Sequence, residues 1–181
     1  LKEMNINAII LSDTSDVFDT PTDGTFRMYM GGTTLEAAKE ALHSKATVSF
    51  QEFNTPKSLE YAHSLGQKTM AFQYPIGIRA TDRWLMALSE LTGKEIPESI
   101  KLERGRLVDA VADSTSHIHG KKFALYGDPD QMLGLSEFLM ELGAEPVHVL
   151  ATNGGKDWEE KIERPFRHLP IRSRMPCVPG P

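Results

Sequence analysis

The chain has 181 residues, a quarter of them charged, which leaves room for one ordinary domain or for parts of two. Its net charge of −5 gives no electrostatic case for a nucleic-acid partner, because proteins that bind nucleic acid usually carry a basic face. No apolar run approaches the roughly 20 residues that a membrane helix needs. We therefore expect a globular chain with no nucleic-acid partner and no membrane span.

The first residue and the single cysteine bear on the origin and the compartment of the chain. It starts at Leu1 with no charged-then-apolar leader, so we expect it to be cut from a larger protein, with processing as the alternative origin of this start. Cys177 alone can form no internal disulfide, and it cannot hold an iron–sulfur cluster without partner ligands. Eight methionines and no disulfide framework favour a reducing cytoplasm.

Short apolar runs of β-forming residues alternate with helical patterns along the chain, which is typical of a parallel sheet covered by helices. In chain order, the predicted strands are 7–11, 46–50, 68–74, 123–126 and 146–150. The predicted helices are 35–42, 56–65, 81–92, 97–119 and 129–142. Capping and stop residues define several of these ends, because hydroxyl and carboxylate side chains satisfy free N–H groups and glycine accepts a left-handed backbone. They are Thr33, Thr34, Thr55, Gly66, Gly93 and Gly143.

The long helix predicted at 97–119 separates two parts of the chain. We place a domain boundary near Gly120, because a fresh βαβ unit begins there. Residues 1–120 are then part of a middle α/β domain with its linking helix, and residues 121–163 open the next α/β domain. The predicted fold class is α/β, with Rossmann-like parallel sheets covered by helices, in parts of two consecutive domains.

Residues 164–181 have a different composition from the rest. They hold five of the eleven prolines, four arginines and no acidic residue. Proline at that density breaks both helices and strands. We expect a Pro/Arg-rich tail that is either disordered or non-native, for example the product of a reading-frame change in the coding DNA.

The turn Gly127–Asp130 is the first candidate site, because it follows a predicted strand and opens a predicted helix. In Rossmann-type folds such a turn often holds a ligand's phosphates. Here it carries two carboxylates, which would repel a phosphate, and it lacks the glycine-rich pattern. The favoured interpretation is that Asp128 caps the helix, with Pro129 at its first position.

A second possible anion cradle is Gly31–Thr34, with two glycines and two hydroxyls before a helix. It lacks the lysine and the spacing of a phosphate-binding loop, so a tight turn with a capped helix is the favoured interpretation. The pair Arg104 and Arg106 could face a partner, although a solvated helix face is the default.

The remaining candidates give no catalytic or metal-binding pattern. His117 and His119 are two apart and point to different faces of a helix. The other histidines lack partner ligands at suitable spacing, and they are His43, His63, His148 and His168. Four carboxylates in a polar loop show no acid–base pairing, and they are Asp13, Asp16, Asp19 and Asp23. Trp84 and Trp158 are interpreted as packing residues. The prediction is that the chain contains no catalytic, cofactor-binding or metal-binding residue.

Several segments in a fixed order resemble the nitrogenase component 1 family, and specifically its beta chains. They are Ser12–Thr34, Glu103–Asp109 with Asp113-Ser114, His119–Asp130, Leu139–His148 and Asn153-Gly154. The resemblance covers about residues 1–163, and residues 164–181 fall outside it, which favours the non-native origin of the tail.

The resemblance implies that the chain is a fragment of the beta subunit of a molybdenum-iron dinitrogenase. That enzyme is an α2β2 assembly which reduces dinitrogen to ammonia with electrons from an ATP-hydrolysing iron protein. Electrons pass through an [8Fe-7S] P-cluster at the α–β boundary to an iron-molybdenum cofactor in the alpha chain. The family's cluster-binding cysteines lie upstream of this segment, so the resemblance implies a scaffold segment that is inactive alone.

Two alternatives stay open. The chain could belong to a cofactor-assembly scaffold of the same superfamily. It could instead be an independent Rossmann-like binding module that uses Gly127–Asp130.

Overall fold

The computed structural model describes residues 1–11, 13, 21, 24–25 and 32–166, with the backbone alone for residues 164–166. Helices and strands alternate from residue 35 onward, except that two helices follow one another between residues 77 and 118. The helices are α1 (Leu35–Ala41), α2 (Pro56–Ser64), α3 (Gly77–Thr92), α4 (Glu98–Ile118), α5 (Pro129–Glu141) and α6 (Lys156–Phe166). The strands are β1 (Ala46–Ser49), β2 (Lys68–Ala71), β3 (Lys122–Gly127) and β4 (Glu145–Ala151). In the described part of the chain, no helix is long and apolar enough to cross a membrane.

The chain forms two compact units. The first contains Leu1–Thr47 and Ser58–Met70, and the second contains Val48–Lys57 and Ala71–Pro181. Strands β1 and β2 pair in a two-stranded sheet, and β3 and β4 pair in another. The second pair is parallel, as the α/β pattern of the sequence predicted.

The first unit is organised around Gln67, a polar side chain that is only 5% exposed. Its amide nitrogen donates to the carbonyls of Ala41 and Leu42 at 2.9 and 3.0 Å, which satisfies the free C=O groups at the end of α1. Its amide oxygen accepts from the Thr47 hydroxyl at 2.5 Å. Both ends of the buried amide therefore have partners, as burial of a polar group requires.

The strand predicted at 7–11 is wrong. These residues form no strand, and Ile10 and Leu11 are 57% and 58% exposed. A strand needs a neighbour to supply its hydrogen bonds, and no strand pairs with this segment in the described residues. The Ile10 carbonyl instead accepts from the Thr33 hydroxyl at 2.6 Å.

The βαβ unit β3–α5–β4 forms the core of the second unit. Its strands run in register from Lys122 opposite Glu145 to Gly127 opposite Ala151. Alternate residues of β3 are half-buried, and these face α5 and α6. The buried core consists of Met132, Leu133, Val149, Ala151, Trp158 and Ile162. The sequence placed β3, α5 and β4 to within one or two residues.

Helix α3 begins one turn earlier than predicted, at Gly77 instead of Thr81. Thr81 is therefore inside the helix, and its hydroxyl donates to the carbonyls of Gly77 and Pro75 at 2.7 and 3.0 Å. The predicted end is correct, because Gly93 adopts a left-handed backbone with φ 67°. Helix α4 also forms as predicted, but its apolar side chains Leu107 and Val108 are exposed.

The domain boundary expected near Gly120 stays a prediction, and Gly120 lies inside the second compact unit. Helix α5 packs on α3, which precedes Gly120 in the chain. A Cβ added at Gly134 would lie 3.2 Å from the Tyr74 Cβ, so the backbone of α5 approaches that segment closely. Ion pairs join Arg79 to Glu141 and Arg83 to Glu137 at the same interface.

Helix α6 was not predicted, and it extends to Phe166, three residues into the expected tail. Trp158 and Ile162 are four residues apart, so they share one face of the helix, and both are buried in the core. This anchoring explains why the helix forms despite the proline at its end. Residues 167–181 lie outside the described part of the chain, and so does Cys177.

Candidate functional site

The turn after β3 lies at the carboxyl end of the parallel strands, where ligands bind in open α/β sheets. Here the turn caps a helix. An Asp128 carboxylate oxygen accepts from the N–H groups of Asp130 and Gln131 at 3.0 and 3.2 Å, and Pro129 opens α5. This confirms the capping interpretation of Asp128.

The space in front of the turn is filled by residues from the segment between β1 and α2. The Asn54 amide nitrogen donates to Asp128 Oδ2 at 2.6 Å and to Asp130 Oδ2 at 3.4 Å. The Phe53 N–H donates to both Asp130 oxygens at 3.2 and 3.3 Å. On its other side, the Asn54 amide oxygen accepts from the Asn153 side chain at 2.9 Å. We call Asn54, Asp128, Asp130 and Asn153 the Asn54 bridge.

Asp130 is the most unusual member of the bridge, because this acidic residue is only 2% exposed. Burial raises the pKa of Asp130 to about 6, and hydrogen bonding by the Phe53 N–H offsets part of that effect. The negative charges of Asp128 and Glu52 raise the pKa further. The Asp130 carboxyl therefore holds its proton to a higher pH than a carboxyl in water does.

Two further contacts hold this edge of the sheet together. The Trp158 indole nitrogen donates to the Pro129 carbonyl at 2.9 Å. The Lys161 ammonium pairs with Glu52 and lies 5.6 Å from the centre of the Phe53 ring. Trp158 is thus a buried packing residue, as predicted, and Trp84 makes an edge contact with Phe50 at 5.5 Å between ring centres.

The chemistry of this edge does not suit a phosphate. Its side chains present carboxylate oxygens, and Asn54 occupies the place in front of the helix end. An anion there would meet two carboxylates before it met any N–H group. The arrangement joins segments that are distant in the sequence, and its role in the described structure is structural.

The second candidate cradle also serves as a helix cap. Thr34 caps α1 by accepting from the Ala37 N–H at 3.1 Å, as predicted. The Thr33 hydroxyl accepts from the Asp13 N–H at 2.9 Å. Gly31 lies outside the described residues.

The structure does not bring the other candidates together. Within the described residues, no group of three or more His, Cys, Asp or Glu side chains could hold a metal ion. His119 packs so closely against Gly143 that a Cβ added at position 143 would clash with its ring nitrogen Nδ1. Arg104 forms a bidentate ion pair with Asp82 at 2.8 Å for each bond, so it is not simply a solvated side chain. Four of the other candidates lie outside the described residues. They are Asp16, Asp19, Asp23 and His168.

Sequence reasoning missed Asn54, Phe53 and Asn153. The only local signal was that Asn153 follows a predicted strand at the same edge as Asp128. Nothing in the sequence pattern connects Asn54 with Asp128, since 74 positions separate them.

The fold and this edge define a Rossmann-like α/β protein whose usual ligand position is filled by its own side chains. The chain matches the family described as nitrogenase component 1 type oxidoreductase over residues 1–171, and it belongs to that family.

Individual proteins that are similar to this chain belong to the same family. The nitrogenase molybdenum-iron protein beta chain of Bradyrhizobium diazoefficiens is 55% identical over 180 residues, which is 99% of this chain and 35% of that protein. The beta chain of Azospirillum brasilense is 59% identical over 160 residues, covering 88% of this chain and 30% of that protein. A solved structure titled "Nitrogenase Cp1 at pH 6.5" has a TM-score of 0.88 and 37% identity, covering 97% of this chain and 39% of that one.

These matches confirm the resemblance read from the sequence and the α/β fold class. The chain spans about a third of the length of the curated relatives it matches. The resemblance also extends further than expected. It reaches residue 171 in the family match and nearly the whole chain in the Bradyrhizobium alignment. The non-native origin of the tail therefore loses the observation on which it relied.

Proposed function

We propose that this chain is a structural segment of the beta subunit of a dinitrogenase, the enzyme that reduces dinitrogen to ammonia. The observation that carries the proposal is 55% identity to a molybdenum-iron protein beta chain over 99% of the chain. The described residues contribute a packed βαβ core and the Asn54 bridge, and both are devices for holding elements in place.

The partners and the cellular setting belong to the same proposal. The subunit would assemble with an alpha chain as α2β2 in the cytoplasm and receive electrons from the ATP-hydrolysing iron protein. The enzyme's redox chemistry is that of its metal–sulfur clusters, an [8Fe-7S] cluster and an iron-molybdenum cofactor.

The residues of this chain do not fit such a cluster. Iron–sulfur clusters are held mainly by several cysteine thiolates, and the chain has one cysteine. In the described residues, no set of three or more potential ligands lies together. We therefore propose that the ligands belong to other parts of the assembly and that this segment, taken alone, is inactive.

The alternative of a cofactor-assembly scaffold is less well supported, because similar proteins at 55% and 59% identity carry the name of the beta chain. The alternative of an independent binding module is weakened by the filled edge at Gly127–Asp130.

A chimeric subunit tests the proposal. The corresponding segment of the Bradyrhizobium diazoefficiens beta chain is replaced by this sequence, and the strain is grown with dinitrogen as the nitrogen source. We expect growth and co-purification of the chimera with the alpha chain. A matched chimera with Leu133→Asp, which puts a charge into the core, should lose both.

Two results would contradict the proposal. A folded chimera that fails to co-purify with the alpha chain would exclude a role in the subunit. A chimera that assembles but does not reduce dinitrogen would favour the cofactor-assembly scaffold.

A further inference from the structure

Asn153 and Gly154 lie in an irregular, non-helical segment that joins the end of β4 at Ala151 to the start of α6. Asn153 is exposed to solvent. An asparagine followed by glycine can lose its side-chain amide when the next backbone nitrogen attacks the amide carbon. That attack is easiest where the following residue has no side chain and the backbone is not held in a helix or strand.

Packing disfavours any side chain at position 154. A Cβ added there would lie 3.0 Å from the Ala151 Cβ and 3.0 Å from a Trp158 ring carbon. Trp158 cannot move aside easily, because it is buried and its indole is hydrogen-bonded to Pro129. The core therefore keeps the reactive sequence in place.

The surroundings of Asn153 favour the reaction. In the described part of the chain, the Gly154 N–H has no hydrogen-bond partner, so it is free to lose its proton to a base in solvent. The Thr152 hydroxyl lies 3.2 Å from Asn153 Oδ1 and can donate to it. A donor at this oxygen stabilises the negative charge that forms there when the amide carbon is attacked.

We propose that Asn153 is a site of spontaneous deamidation and that its product opens the Asn54 bridge. The deprotonated Gly154 nitrogen bonds to the Asn153 amide carbon, and the bond to Nδ2 breaks with release of ammonia. Water then opens the resulting succinimide at either carbonyl and leaves aspartate or isoaspartate. The reaction consumes one water molecule, releases one ammonia molecule and needs no oxidant or reductant.

The product cannot keep the hydrogen bonds of the bridge. Asn54 now places its amide oxygen toward Asn153 and its amide nitrogen toward Asp128 and Asp130. A carboxylate at position 153 gives Asn54 an acceptor on both sides. If the Asn54 amide keeps its orientation, its oxygen faces the carboxylate at position 153. If the amide flips, its oxygen faces the carboxylates of Asp128 and Asp130, so in either case two oxygens meet with no hydrogen between them. The new charge also joins those of Asp128 and Glu52, so the segment that carries Phe53 and Asn54 is released from α5.

Mass spectrometry of the full chain tests the first step. The protein is incubated in mildly alkaline buffer, digested and compared with a fresh sample. Asn153 should convert to aspartate and isoaspartate several-fold faster than Asn5, Asn7 and Asn54, which are exposed and precede residues with side chains. The Asn153→Gln variant, which would need a less favourable six-membered ring, should show no conversion at that position. An Asn153 that converts no faster than Asn54 would overturn the proposal.

Hydrogen exchange tests the second step. In Asn153→Asp, the Phe53 N–H should exchange faster than in the parent, because the segment that carries it is released. Amides in the middle of α3 should be unchanged in the same sample. In Asn153→Gln, which keeps a donor toward Asn54, exchange at Phe53 should stay close to that of the parent. Equal exchange at Phe53 in the parent and in Asn153→Asp would show that the bridge survives the new charge, and it would refute this step.

Discussion

The buried carboxyl of Asp130 makes the stability of the second unit depend on pH. Its pKa is 3.8 in an unfolded chain and about 6 in the folded protein. Between these values the folded state holds more protons than the unfolded state, so stability falls as pH rises. The contribution is fully present below about pH 3.8 and is lost as pH rises through about 6.

The size of the effect follows from the shift. About two pKa units at roughly 1.4 kcal/mol per unit correspond to about 3 kcal/mol between the protonated and ionised states. Asp130→Asn removes the titration and keeps the shape and an acceptor for the Phe53 N–H. Relative to the parent, the variant should gain about 2 kcal/mol between about pH 4 and pH 7, because part of the full effect lies outside that window.

Urea unfolding at several pH values measures this difference. Comparing the variant with the parent cancels the titration of all other groups. Asp109→Asn, which removes an exposed carboxylate of α4, serves as the matched control. The stability difference between Asp130→Asn and the parent should vary with pH more than the difference between Asp109→Asn and the parent. If it does not, the Asp130 carboxyl is ionised at no cost and the reasoning about its burial is refuted.

Two further predictions concern the same region, and a third concerns the single cysteine. Asp128→Asn should be nearly neutral, while Asp128→Ala should cost about 1 kcal/mol in denaturant unfolding, because asparagine can still cap α5 and alanine cannot. Equal stability of Asp128→Ala and the parent would contradict the cap. Trp158→Phe should cost about 1–3 kcal/mol, because the Pro129 carbonyl loses its donor in a buried place. An unchanged unfolding midpoint would show that water replaces the donor. Anaerobic reconstitution of the 181-residue chain should give no stoichiometric cluster iron, because Cys177 is its only thiol. Cluster absorption with matching iron counts would contradict this.

The parts of the fold that were predictable are those with local signals. Asp128 and Pro129 mark the start of α5, Gly143 marks its end, and the apolar runs on either side became β3 and β4. These features depend on residues within one turn of each other, so their chemistry can be read along the chain.

The parts that were missed depend on contacts between distant residues. The run 7–11 has the composition of a strand, but composition cannot supply the neighbour that a strand needs. Likewise, Asn153 and Asn54 are 99 positions apart, and an asparagine in a sequence does not indicate which residue it will hydrogen-bond. Helix α6 was missed because its buried face carries only Trp158 and Ile162 among many charges. The prediction that the chain contains no catalytic or ligand-binding residue is still a prediction.

The face of the β3–β4 sheet that points away from α5 affects how this protein behaves during purification. Ala124, Tyr126 and His148 are exposed there, and the Tyr126 side chain is 71% accessible. Parallel sheets are normally covered on both faces, so this surface is more prone to self-association than that of an ordinary small domain. We therefore expect the purified chain to aggregate when it is concentrated, under conditions in which heat or urea has not yet unfolded it. Dilute handling, or expression joined to the flanking sequence of a longer relative, is the practical remedy.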